Sequence, residues 1–151
     1  MTVSVLFVDD EKCVLRALER TLRDEGYITS FCSDPLDALT RIGEEAFDIV
    51  VSDFMMPNMS GVDFLALVRE RRPASFRMLM TGCADSQATI RAINESAVCH
   101  YLEKPWTDAE LKAALRRAAT SVVAERAAKA AAPDLAAAAR RFGKTTYRTS
   151  A

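Results

Sequence analysis

The sequence predicts an α/β protein built on a five-stranded parallel sheet with helices on both faces. Three observations carry that reading. Short apolar, β-branched runs recur, the clearest being Ile49-Val50-Val51-Ser52-Asp53, and a run without a polar face suits a strand buried on both sides. Strand-like and helix-like segments alternate along the chain, and each crossover must be right-handed and cover a face of the sheet. Several of the runs end on Asp, Thr or Lys, where open sheets of this kind place their sites.

The first strand is expected over residues 3–8, and it runs into Asp9-Asp10-Glu11, which opens a helix with Val14, Leu15, Leu18 and Leu22 on one side. Gly26 ends that unit before a second strand over 27–32. Asp34 followed by Pro35 is an N-cap and a first helical residue, with Leu36, Leu39 and Ile42 as the buried face up to about 45. The third strand covers 48–53. Gly61 introduces a helix carrying Phe64, Leu65 and Val68, and Pro73 marks the turn after it. A fourth strand, 76–80, ends on Thr81-Gly82. Asp85 caps a fourth predicted helix to about 96, with Ile90 and Ile93 as its large apolar anchors. The fifth strand is expected over 97–102. Thr107 and Glu110 form a capping box for the fifth predicted helix, whose inner face is Leu111, Leu115, Ala118 and Val122.

Residues 1–122 therefore form one compact domain, and 123–151 an Ala-rich helical extension. Pro133 is expected to end the long helix, a second short helix fits 134–142 before Gly143, and disorder is expected from Thr145 onward. The two parts differ in charge. Residues 1–106 hold 11 Lys/Arg against 17 Asp/Glu, whereas 107–151 hold 9 against 4. The basic residues of the extension are spread along it, which suits a solvated helix better than a nucleic-acid arm. No apolar run reaches membrane-span length, and the N-terminus leads straight into a strand, so a cytoplasmic protein is expected. The four cysteines, Cys13, Cys32, Cys83 and Cys99, are scattered, and with a single histidine they suggest neither a zinc site nor a disulfide framework. Small, buried or half-buried side chains are the expectation for them.

In a parallel sheet all C-terminal strand ends meet at one edge. Strand one delivers Asp9 and Asp10, strand three Asp53, strand four Thr81 and strand five Lys104. Carboxylates a few ångströms apart repel by roughly 3–4 kcal/mol per pair at an effective dielectric near 20, so the edge calls for a cation. An all-oxygen site suits magnesium or manganese, which keep waters and take few carboxylates. Lys104 adds a charge suited to a phosphoryl oxygen and Thr81 a hydroxyl donor. Together they describe phosphoryl transfer onto Asp53.

From residue 3 to about 122 the chain resembles the receiver domain of two-component response regulators. Val8-Asp9-Asp10-Glu11, the run Ser52-Asp53-Phe54-Met55-Met56-Pro57 with Gly61, Thr81-Gly82, and Tyr101-Leu102-Glu103-Lys104-Pro105 stand in that family's order and spacing. The resemblance implies a flavodoxin-like, doubly wound strand order 2-1-3-4-5, with Asp53 as phospho-acceptor and Thr81 and Lys104 assisting. It implies a magnesium site of Asp10, Asp53, the Met55 backbone carbonyl and, through water, Asp9. Thr81 and Tyr101 match the family's switch pair, and Lys104-Pro105 its cis peptide. The implied partners are a sensor histidine kinase, a phosphotransfer protein or a small phosphodonor. The implied readout is the face made by the fourth predicted helix, the fifth strand and the fifth predicted helix, through which a homodimer could also form. No enzyme activity is implied beyond self-phosphorylation and autodephosphorylation, and neither membrane insertion nor direct nucleic-acid binding by residues 1–122.

Three other readings stand beside this one. The chain could be the receiver part of a longer regulator with a DNA-binding or cyclic-dinucleotide output. A phosphatase of the haloacid-dehalogenase type shares the aspartyl-phosphate chemistry, but needs an acid two positions after its nucleophile, where this chain has Met55. A flavin-binding protein of the same fold would need a phosphate loop after the first strand, where this chain has acids.

Overall fold

The computed structural model describes residues 2–82, 87, 90, 91, 95 and 97–145. The strands β1 (Ser4–Val8), β2 (Ile28–Cys32), β3 (Ile49–Asp53), β4 (Phe76–Thr81) and β5 (His100–Glu103) form one five-stranded sheet, ordered β2-β1-β3-β4-β5. Every neighbouring pair is parallel. The described helices are α1 (Lys12–Leu22), α2 (Pro35–Glu44), α3 (Gly61–Arg71) and α4 (Asp108–Thr145). The doubly wound, flavodoxin-like architecture expected from the sequence is the one observed. Chain order reverses between β1 and β3, and the crevice at the ends of those two strands is where such sheets bind their ligands.

The pleat divides the core between the faces. Val5, Phe7, Ile49, Val51, Met78 and Met80 pack with Leu15, Leu18, Leu111, Leu115 and Val122 of α1 and α4. Leu6, Val8, Val50 and Leu79 pack with Ala38, Ile42, Phe64 and Val68 of α2 and α3. All five residues of β3 are buried, which explains why its sequence lacks alternation.

Local chemistry sets the helix starts. Asp34 accepts from the Leu36 amide at 3.0 Å, with Pro35 at the first helical position. Thr107 and Glu110 close the expected capping box, each side chain accepting from the other's amide at 3.1 Å. Ser60 caps α3 by accepting from the Asp63 amide.

Several expectations are corrected. Leu36 is exposed, and the buried face of α2 is Pro35, Ala38, Leu39 and Ile42, the i, i+3, i+4, i+7 set that Leu36 falls outside. The fifth strand begins at His100 rather than 97, because the Ala97 carbonyl accepts from the buried Arg77 guanidinium at 2.8 Å instead of joining a ladder. Of the fourth predicted helix, Gln87, Ile90 and Arg91 are described and helical, whereas Asp85, Ile93 and Ser96 lie outside the described residues. Ile90 is 48% exposed and so is not one of the buried core residues. The end of that segment is held instead by Arg69, whose guanidinium donates to the Glu95 carbonyl at 2.7 Å. Cys13 and Cys99 are exposed and Cys32 half-buried, because Cys13 sits on the outer side of α1 and Cys99 precedes an edge strand; Cys83 lies outside the described residues.

The largest correction concerns the extension. Pro133 and Gly143 do not stop α4, which is continuous over 38 residues to Thr145. A proline costs a helix interior about 3 kcal/mol, yet alanine is the best helix former, and the alanine-rich sequence on both sides of Pro133 offsets that cost. Residues 146–151 lie outside the described residues. No helix among the described residues is long and apolar enough to cross a membrane.

Candidate functional site

Asp9 follows β1 directly, and Asp53 is the last residue of β3, paired in register with Met80 of β4. Both are buried, Asp9 fully and Asp53 to within 7% exposure, while Asp10 faces solvent. One carboxylate oxygen of each lies within 4.8 Å of the other two. The Lys104 ammonium reaches in from the end of β5, donating to Asp53 Oδ1 at 2.9 Å and to Asp9 Oδ2 at 3.5 Å. The predicted carboxylate triad and its lysine are thus one cluster.

Backbone donors finish the positioning. The Phe54 amide donates to Asp53 Oδ1 at 3.0 Å, and the Glu11 amide to Asp9 Oδ1 at 2.9 Å. Ser52, buried beneath the site, donates its hydroxyl to the Asp53 carbonyl at 3.0 Å. The 54–60 loop returns so closely that the Gly61 amide donates to the Phe54 carbonyl at 2.9 Å. A Cβ at position 61 would lie 1.9 Å from the Asp53 carbonyl oxygen, so only glycine permits this approach. The sequence reading used Gly61 as a helix start and missed that contact, because the close approach joins two elements.

Burial is the largest single influence on both Asp9 and Lys104, and the neighbouring groups work with or against it. Burial raises the Asp9 carboxyl above its ordinary range and the Asp53 charge adds to that, while the Glu11 amide and Lys104 offset it only in part. Burial alone would lower the Lys104 ammonium, but its hydrogen bond to Asp53 and the two carboxylate charges outweigh this and raise it. The donor set of the triad is all oxygen, the chemistry a small divalent cation prefers.

The remaining candidates surround this cluster. Thr81 is fully buried at the end of β4, and its carbonyl accepts from the Lys104 amide at 2.8 Å. Lys104-Pro105 is a cis peptide, as the resemblance implied. Met55 is 72% exposed on the loop beyond Asp53. Tyr101 is 38% exposed on β5, with its ring stacked on that of His100 at 5.9 Å between centroids. Neither the Met55 nor the Tyr101 side chain is part of the charged cluster.

Comparison with known proteins agrees with this arrangement. The family model for the response regulator receiver domain matches residues 5–116. The chain belongs to that family. The hydrogenase transcriptional regulatory protein HoxA of Cupriavidus necator is 36% identical to this receiver over 115 residues, covering 76% of this chain and 24% of HoxA. The two-component response regulator ARR22 of Arabidopsis thaliana is 32% identical over 111 residues, covering 72% of this chain and 78% of ARR22. The receiver thus spans about a quarter of HoxA but most of ARR22. Among solved structures, the signal receiver domain of an HD domain-containing protein from Pseudomonas fluorescens Pf-5 superposes with a TM-score of 0.77 at 35% identity, covering 82% of this chain and 91% of that one. The chemotaxis protein CheY4 of Vibrio cholerae does so with 0.72 at 27% identity, covering 78% and 99%.

Proposed function

We propose that this receiver domain accepts a phosphoryl group on Asp53 and works as a phosphorylation-dependent switch. The observation that carries this reading is the cluster itself: Asp53 held at 2.9 Å by Lys104, with the Asp9 and Asp10 carboxylates beside it at the open end of the sheet. An Asp53 oxygen attacks the phosphorus of a phosphohistidine or a small acyl phosphate, the bond from phosphorus to the donor breaks, and the donor leaves with the electron pair. Lys104 neutralises charge on the transferring oxygens, and the Thr81 hydroxyl supplies a donor to the same group.

The all-oxygen donor set, three carboxylates beside one lysine, fits a magnesium or manganese ion, which would be held by Asp10, Asp53, the Met55 carbonyl and, through water, Asp9. When bound, the ion supplies charge neutralisation for the incoming phosphate. Phosphorylation adds about −1.5 to −2 charges at Asp53. Thr81 then moves toward the phosphoryl group and Tyr101, exposed at rest, turns inward. The face made by the fourth predicted helix, β5 and α4 carries that change to an output or to a second copy. The second reading puts the output in a longer regulator, in keeping with HoxA, of which the receiver matches 24%; a receiver that signals by itself is in keeping with ARR22, of which it matches 78%. The donor is a sensor histidine kinase, a phosphotransfer protein or a small phosphodonor, and residues 1–122 bind neither membrane nor nucleic acid. Incubation with labelled acetyl phosphate and magnesium labels the wild type and leaves Asp53→Asn unlabelled; equal labelling of both refutes the assignment.

A further inference from the structure

The other end of β3 carries a second charged arrangement that the phosphoryl chemistry does not use. Val122 is the last described residue of α4 buried in the core, and of residues 123–131 all are exposed except Arg126, one turn further on. Its guanidinium donates to Asp48 Oδ1, 78 positions away in sequence. The pair is partly shielded, with side-chain exposures of 35% and 18%. Asp48 is itself fixed: its Oδ2 accepts from the Ser4 amide at 2.8 Å and from the Ser4 hydroxyl at 3.1 Å, and its own amide donates to Ser4 Oγ at 3.0 Å. Beside the pair, α4 stands off from the turn between α3 and β4 across a recess of about 310 Å3, lined by Phe47, Pro73, Ala74, Val122 and Lys129 among others. An exposed, alanine-rich helix gains little from burial and is marginal unless something holds it.

We propose that Asp48 and Arg126 form a latch that fixes the direction in which the C-terminal helix leaves the receiver fold. The latch is built on the entry of the strand whose exit carries Asp53, and β3 between them is wholly buried. Whatever α4 presents beyond residue 126 is therefore oriented against the same strand that holds the phospho-acceptor. The helix continues about 29 Å past Arg126 to Thr145 at 1.5 Å per residue, so a small change of angle at Arg126 moves its far end by several ångströms. The signalling purpose of the latch rests on the phospho-acceptor reading; its existence does not.

Hydrogen exchange on the full chain tests it, with Arg126→Gln removing the charge and Arg126→Lys keeping it. In Arg126→Gln the amides of 124–131 exchange about fivefold faster, the factor a partly shielded ion pair supplies. The amides of 111–118 and the acetyl phosphate labelling stay as in wild type, and Arg126→Lys falls between the two. Unchanged exchange over 124–131, or an equal rise along the whole of α4, overturns the latch. Loss of labelling in wild type and variants alike overturns the phospho-acceptor reading instead and leaves the latch standing.

Discussion

At the C-terminal ends of β1 and β3, Asp9, Asp10 and Asp53 crowd around Lys104; at the N-terminal ends of the same two strands, Ser4 and Asp48 meet Arg126. The residue types are alike and the outcomes opposite. In the first cluster burial raises the Asp9 carboxyl, and the nearby donors do not compensate. In the second, burial would raise the Asp48 carboxyl too, but the Ser4 hydrogen bonds and Arg126 outweigh it and the group is lowered. A carboxylate cluster that is over-supplied with negative charge is prepared for a ligand, whereas one whose partners are all protein groups is a structural joint. The contrast also explains why two acidic strand ends of one sheet need not both be sites.

The comparison is tested first at Lys104. Lys104→Met removes the cation that faces Asp53 and lowers the initial rate of labelling by acetyl phosphate by about 100-fold, the scale of losing one preorganised charge donor. A rate within threefold of wild type shows that the ammonium does not act on the transferring group. Next comes the backbone that frames the acceptor. Gly61→Ala places a Cβ at 1.9 Å from the Asp53 carbonyl and so forces the loop or α3 to shift; urea unfolding registers a loss of about 1–3 kcal/mol. An unchanged midpoint means that the loop yields at no cost.

The smallest effect belongs to the structural end and follows from linkage. Asp48 has a depressed carboxyl in the folded state, so its contribution is fully present above the unfolded value near 3.9 and is lost as pH falls through the folded value. The stability difference between wild type and Asp48→Asn is therefore constant around neutrality and shrinks below about pH 4. A difference that grows on acidification contradicts the assignment.

The sequence made the first cluster legible because its members are set by local position: Asp9, Asp53, Thr81 and Lys104 each stand at the end of a short apolar run, and a parallel sheet brings those ends together. The caps at Asp34 and Thr107 were legible for the same reason, being chemistry within four residues. What escaped reading depends on distant partners. Arg126 finds Asp48 from 78 positions away, and Arg77 takes the Ala97 carbonyl from 20 positions away, shortening β5. Gly61 is the helix start that the sequence suggests, and in addition a site of backbone contact with Asp53 that its neighbours in sequence do not reveal. Pro133 misled because a strong local rule was overridden by the alanines around it.

Magnesium titration by calorimetry, on wild type, Asp10→Asn and Asp48→Asn, puts both ends of the sheet into one measurement. The account predicts one ion per chain in wild type and in Asp48→Asn, with binding lost or weakened about tenfold or more in Asp10→Asn, where a ligand carboxylate is gone. Equal affinity in Asp10→Asn and wild type, or loss of the ion in a folded Asp48→Asn, contradicts it.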